Sequence, residues 1–153
     1  MSMNPTTVPA AGRLISRLRD TADAYSATGE AIPDRTIRIL CDGLAGIHRL
    51  FATELQTVMT EIFHDSAVYV EPLPLVAAPN EDPLHLLLDR SCQLEDLFRT
   101  TLRADLPNDV DLLIYRLYAK VRRARERLLS ALMGKPHLTG ITPFGELAMS
   151  HCA

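Results

Sequence analysis

The residues with the most suggestive spacing in this chain are basic, and they lie between positions 116 and 127. This segment holds six basic residues and a single acid, Glu126, so it carries a charge of +5 in a chain of net charge −3. Residues three and four apart share one face of a helix. Four of the basic residues follow that spacing beside an apolar row, and we call them the basic ridge: Arg116, Lys120, Arg123 and Arg127.

Three kinds of acidic group could meet the basic ridge. Carboxylates of the chain itself are one source, since Glu54 and Glu61 line one edge of a neighbouring predicted helix. An acidic surface of another protein, or of a second copy of this chain, is another. Nucleic acid is disfavoured by a pI near 5.9 and by the lack of an aromatic platform beyond Tyr115 and Tyr118. We treat the ridge as a candidate site for binding a protein partner.

A metal centre is the next chemistry to consider, because Glu-x-x-His pairs on helices ligate the metals of ferritin-like di-iron bundles. The chain has one such pair, Glu61 and His64, and Asp82 with His85 is the nearest approach to a second. At about 100° per residue, both histidines project away from the apolar faces of their helices. The sequence therefore predicts no metal site and no cofactor, with a ferritin-like metal-binding protein as the alternative.

His48 lies within the apolar row of the second predicted helix, between Cys41 and Phe51. A buried imidazole needs a hydrogen-bond partner, because leaving it unpaired costs roughly 1–3 kcal/mol. Ser91 or Tyr25 could supply that partner. We predict a buried, structural histidine, and the alternatives are a metal ligand or a protonation switch.

The sequence contains none of the common motifs of nucleophilic or nucleotide chemistry: no Gly-x-Ser-x-Gly elbow, no phosphate-binding loop and no dinucleotide fingerprint. We therefore predict no catalytic residues. The three cysteines, Cys41, Cys92 and Cys152, are scattered and odd in number, which disfavours a disulfide framework and favours a reducing compartment. Cys92 falls outside the apolar row of its helix, and it would be reactive if exposed.

Four amphipathic segments must position these residues. The spacing of apolar residues predicts helices over 9–28, 34–64, 82–105 and 108–133, and therefore an all-α, four-helix bundle.

Local signals refine these predictions. In the first helix, Asp20 and Asp23 fall away from the apolar face, and Gly29 is placed to end the helix. In the second, Gly43 and Gly46 are expected to allow close approach of another helix. The short connection after Gly29 makes helices one and two antiparallel neighbours.

The connection over residues 65–79 leaves two topologies open. It contains three prolines and exceeds the usual loop length of about 4–6 residues. Extended, it could reach about 50 Å and bring the third helix parallel to the second, as in the long crossover of ferritin-like bundles. The alternative is a loop packed along the side of an up-down-up-down bundle.

The whole chain, residues 1–153, reads as one domain with a flexible segment over 1–8 and an irregular tail over 134–153. Charged residues make up 23% of it and are evenly spread, so no membrane span is predicted. The first residues lack the pattern of a secretory signal, which favours the cytoplasm. These observations favour a non-enzymatic helical bundle that acts through protein–protein interaction, as a small subunit, an adaptor or a homo-oligomeric module.

Overall fold

A computed structural model describes residues 7–63 and 82–135 of the chain. Its regular structure in these two ranges is entirely helical and comprises α1 (Thr7–Ala31), α2 (Arg35–Ile62), α3 (Pro83–Leu102) and α4 (Asn108–Met133). The predicted all-α, four-helix fold is confirmed, and every boundary lies within three residues of its prediction. No described helix is both long enough and apolar enough to cross a membrane.

Two of the helices begin at an aspartate that caps exposed N–H groups. Asp34 accepts a hydrogen bond from the backbone N–H of Ile37 at 3.0 Å, and Asp82 accepts one from Leu84 at 3.2 Å. Lys135, just after α4, also lies 2.5 Å from the Asp34 carboxylate and, together with the cap hydrogen bond, lowers its pKa. This contact fixes the end of α4 beside the start of α2.

Contacts between helix ends establish the topology. Thr28, near the end of α1, donates a hydrogen bond to the carbonyl of Pro83 at the start of α3. Arg38, near the start of α2, donates to the carbonyl of Gly29. Helix α1 is therefore antiparallel to both α2 and α3. Helix α4 packs on the same two helices, so the order around the bundle is α1, α2, α4, α3.

Helices α2 and α3 are consequently parallel and lie on a diagonal of the bundle. Helix α2 ends at one end of the bundle, and α3 begins at the other. Of the two topologies left open, the helices adopt the long crossover. Residues 64–81 themselves lie outside the described residues, as do the predicted flexible segment up to residue 6 and the tail from residue 136.

The core consists of two apolar clusters that meet near the middle of α2. One cluster includes Phe51 and Phe98, and the other includes Tyr25 and Leu44. The ring of His48 packs at a tilt against Tyr25 from one cluster and against Phe51 from the other, with centroid distances of 4.9 and 5.7 Å. His48 therefore occupies the junction between the two clusters.

The glycines have structural roles that differ from those predicted for them. Gly29 does not end α1, which continues to Ala31; instead, a Cβ atom at position 29 would lie 3.1 Å from the Cβ of Cys41. The close approach of helices is thus at Gly29, between α1 and α2. A Cβ at Gly43 or Gly46 would meet no described atom within 4 Å, so the prediction of close packing there is wrong for the described helices.

Candidate functional site

The basic ridge lies along the edge of α4 that faces α2. Its four residues, Arg116, Lys120, Arg123 and Arg127, are all exposed, while the neighbouring apolar row of α4 is buried in the core. The ammonium group of Lys120 lies 5.8 Å from the centre of the Phe51 ring on α2, close enough for a weak cation–π interaction. The ridge therefore lies at the boundary between solvent and the α2–α4 contact.

Within residues 7–63 and 82–135, none of the ion pairs involves a residue of the basic ridge. Glu54 and Glu61, which the sequence offered as internal partners, form no ion pair with it there. The four cations are thus exposed and uncompensated by described carboxylates, as binding of an acidic partner requires. Partner binding itself stays a prediction.

An apolar groove runs beside the ridge, between α2 and α4. Its walls are formed by Leu44, Ile47 and Phe51 from α2 and Ala124 from α4, and its volume is about 230 Å³. Three ridge residues, Lys120, Arg123 and Arg127, complete its lining. The groove depends on α2 and α4 being neighbours, so the sequence pattern of a single helix could not reveal it.

The opposite edge of α4 faces α3, and its arginines bind a buried carboxylate. The Nε atom of Arg125 lies 2.5 Å from one oxygen of Glu95, and its Nη2 donates to the other oxygen at 3.3 Å. Arg122 approaches the same carboxylate at 3.8 Å. Glu95 is only 1% exposed, so its charge depends on these arginines.

A second buried ion pair joins α1 to α3. Asp20 and Arg90 are each 7% exposed and are paired with one another, and Arg17 lies 4.0 Å from the same carboxylate. The prediction that Asp20 points away from the core is wrong. Apolar periodicity places a charged residue outside, but here an arginine on the neighbouring helix compensates the charge and allows burial.

The prediction that His48 is buried is confirmed, since it is 1% exposed. Its Nδ1 atom donates to the backbone carbonyl of Leu44, one turn earlier, at 2.7 Å. This partner replaces the predicted Ser91 or Tyr25, of which Tyr25 contributes its ring face instead. Burial lowers the pKa of His48 to about 4, with the Leu44 carbonyl opposing that shift, so the imidazole is neutral at pH 7.

The described residues contain no group of three side chains able to hold a metal ion. The two buried carboxylates, Asp20 and Glu95, already have guanidinium groups as counter-ions. Glu61 of the Glu-x-x-His pair is exposed, and His64 lies outside the described residues. The bundle thus has the connectivity of the ferritin-like alternative, while its inward carboxylates are bound to arginine.

The cysteines offer no exposed thiol in the described ranges. Cys92 is 5% exposed and disulfide-bonded, so the exposure that its reactivity would require is not met, and its disulfide counts against the predicted reducing compartment. Cys41 is a free thiol that is fully buried beneath Gly29. Burial, with a smaller contribution from the charge of Asp42, raises its pKa to about 11.

Comparison with known proteins does not assign a function to this face of the bundle. No protein-family model, no curated protein and no solved structure matches the chain. The strongest functional observation therefore comes from the molecule itself. It is the combination of an uncompensated row of cations and an adjoining apolar groove on the α2–α4 face.

Proposed function

We propose that this protein is a non-enzymatic helical bundle that acts by binding another protein or a second copy of itself, as a small subunit, an adaptor or an oligomeric module. The observation that carries this proposal is the basic ridge, whose four cations are exposed and have no described carboxylate partner. We further propose that it acts in the cytoplasm, a location against which the disulfide bond of Cys92 is the one structural observation.

The combination of charge and apolar surface supports a protein as the partner. Protein interfaces typically have an apolar centre surrounded by polar groups, and arginine is enriched in them. The half-buried Ile47, which lies beside the buried Leu44 and Phe51, supplies the apolar component, and the ridge supplies the polar edge. Nucleic acid would use the cations but would gain little from the groove, whose single aromatic side chain, Phe51, is buried, and the chain as a whole is acidic.

Reversing charges on the ridge tests this proposal. The variant Arg116→Glu, Arg123→Glu should lose salt-sensitive association, because opposite charges across an interface mainly govern encounter and specificity. The matched control is Arg13→Glu, Arg35→Glu, which makes the same change of net charge at exposed arginines on α1 and α2. Sedimentation at low and high salt measures self-association, and chemical cross-linking in cell extract measures binding to other proteins.

Two results would contradict the proposal. In one, the ridge variant and the wild type sediment alike and cross-link to the same proteins in the same amounts. In the other, the ridge variant shows unchanged association and a clearly lowered melting temperature, which would make the ridge a purely internal contributor to stability.

A ferritin-like metal-binding protein is the second candidate, and the observation that favours it is the parallel arrangement of α2 and α3. Elemental analysis of the purified protein tests it. Under the leading proposal, iron, manganese and zinc are substoichiometric, and His48→Leu leaves their content unchanged. Stoichiometric metal that is lost on this substitution would overturn the leading proposal.

A further inference from the structure

We propose that the α2–α4 groove binds an amphipathic helix of a partner protein, with a row of acidic side chains along one edge of that helix. This inference rests on the proposed function, because it assumes that the basic ridge binds a protein. It adds the chemistry and the shape of the bound segment.

The dimensions of the face fit a helix of about three turns. The ridge extends from Arg116 to Arg127, which is roughly 16 Å along α4 at 1.5 Å per residue. The groove lies beside it, between two antiparallel helices, and its apolar walls come from both of them. A helix laid along this groove would cover the half-buried side chain of Ile47, since Phe51 and Ala124 beside it are only 7% and 4% exposed.

The spacing of the cations specifies the matching acids. The ridge residues follow one another at intervals of four, three and four residues, so they recur along α4 with the repeat of a helix surface. A partner helix lying alongside presents the same repeat when acids occupy positions i, i+4, i+7 and i+11. Because 4-3-4 reads identically in both directions, the apolar anchors must select the direction in which the helix binds.

The chemistry of the ridge supports carboxylates as its ligands. Three of its four residues are arginines, whose planar guanidinium groups bind carboxylates through paired hydrogen bonds. Glu95 shows that α4 arginines bind carboxylates on the other edge of the helix, where Nη2 of Arg125 donates one hydrogen bond to Glu95 and Nε lies 2.5 Å from the second oxygen as an ion pair. On the ridge edge, the described part of the chain supplies no such carboxylate.

Three synthetic 18-residue peptides test the inference with the full-length protein. The acidic peptide has a leucine face and glutamates at i, i+4, i+7 and i+11. The second peptide replaces those glutamates with lysine, and the third keeps them but replaces the leucines with serine. Fluorescence anisotropy should show the acidic peptide binding at least tenfold more tightly than either of the others, because ridge and groove are both needed.

Variants locate the binding site. Arg116→Glu, Arg123→Glu and, separately, Ile47→Ser should each weaken binding of the acidic peptide at least tenfold. Arg13→Glu, Arg35→Glu and the exposed Met133→Ser are the matched controls, and each should leave binding within twofold of the wild type. Hydrogen exchange of the wild-type protein should show peptide-dependent protection over residues 44–51 and 116–127. This measurement locates the binding site even if Ile47→Ser does not fold.

The outcomes separate this inference from the proposed function. Binding that is lost on charge reversal but retained by the serine peptide and by Ile47→Ser would overturn the groove and leave the ridge as a partner site. Failure of the acidic peptide to bind would overturn the inference, while cross-linking in extract judges the proposed function separately. A single-stranded oligodeoxynucleotide that binds the ridge more tightly than the acidic peptide would overturn both.

Discussion

The two edges of α4 carry the same type of residue but use it differently. On the edge towards α3, Arg122 and Arg125 converge on Glu95, a carboxylate that is 1% exposed. On the edge towards α2, the arginines of the basic ridge are exposed and have no carboxylate partner in the described residues. The difference lies in the neighbouring helix, because α3 offers an acid where α2 offers Leu44, Ile47 and Phe51.

The two edges should also differ in energy. Removing one partner from a buried ion pair leaves an uncompensated charge and costs about 3–5 kcal/mol. An exposed ion pair contributes only about 0–1 kcal/mol, because water screens both charges. Removing one partner at the α3 edge is therefore expected to destabilise the fold, whereas changing a charge on the ridge edge should leave folding nearly unchanged.

The largest effect is expected at Glu95. In Glu95→Gln, Arg125 loses its counter-ion at a half-buried site, and the free energy of unfolding should fall by about 3 kcal/mol. Urea denaturation at pH 7 measures the change. Glu61→Gln, at an exposed position of α2, is the control and should change stability by less than about 0.5 kcal/mol. A loss below about 1 kcal/mol for Glu95→Gln would remove the energetic contrast between the edges.

His48 provides a buried ionisable group that is hydrogen-bonded to a backbone carbonyl rather than to a carboxylate. Its pKa is lowered to about 4 in the folded protein, so below the ordinary pKa of 6.5 the unfolded chain takes up a proton that the folded one does not. Stability should therefore fall as the pH drops from 6.5 towards 4, by up to about 3 kcal/mol.

The substitution His48→Leu isolates this effect, because the carboxylates titrate in both proteins. Urea denaturation at several pH values should give a shallower loss of stability for the variant than for the wild type. Parallel pH profiles would show that His48 has the same pKa in the folded and the unfolded chain, and a protonation switch or a metal ligand would again be open readings for it.

The glycines repeat the contrast between a packed interface and an open face. Gly43→Ala should raise stability by about 0.5–1 kcal/mol, since alanine favours the helix and its Cβ meets no described atom within 4 Å. Gly29→Ala should instead lower stability by about 1 kcal/mol, because its Cβ would crowd Cys41 at 3.1 Å. Thermal melting of the two variants compares them directly. An equal rise in melting temperature for both would show that the α1–α2 contact can accommodate the extra Cβ at little cost.

The smallest effect on folding is expected at the basic ridge. The Arg116→Glu, Arg123→Glu variant should change the free energy of unfolding by less than about 1 kcal/mol, because neither arginine forms a described ion pair. Chemical denaturation tests this beside the association experiments. A destabilisation as large as that of Glu95→Gln would make the two edges of α4 equivalent.

Much of the fold could be predicted from local patterns. The apolar spacing located all four helices, because a helix with one buried face must repeat that face every three to four residues. The same reasoning placed His48 inside the core and Arg116 and Arg127 outside it. Each of these features depends only on which face of a single helix is apolar and therefore buried.

Only the tertiary structure decided the properties that need two helices. Asp20 and Glu95 are buried because Arg90 and Arg125 reach them from neighbouring helices, and no pattern within α1 or α3 encodes those partners. The groove beside the ridge exists because the long crossover makes α4, rather than α3, the neighbour of α2. The sequence by itself determined which faces are apolar or charged, whereas helix pairing determined which charges are neutralised and which stay available.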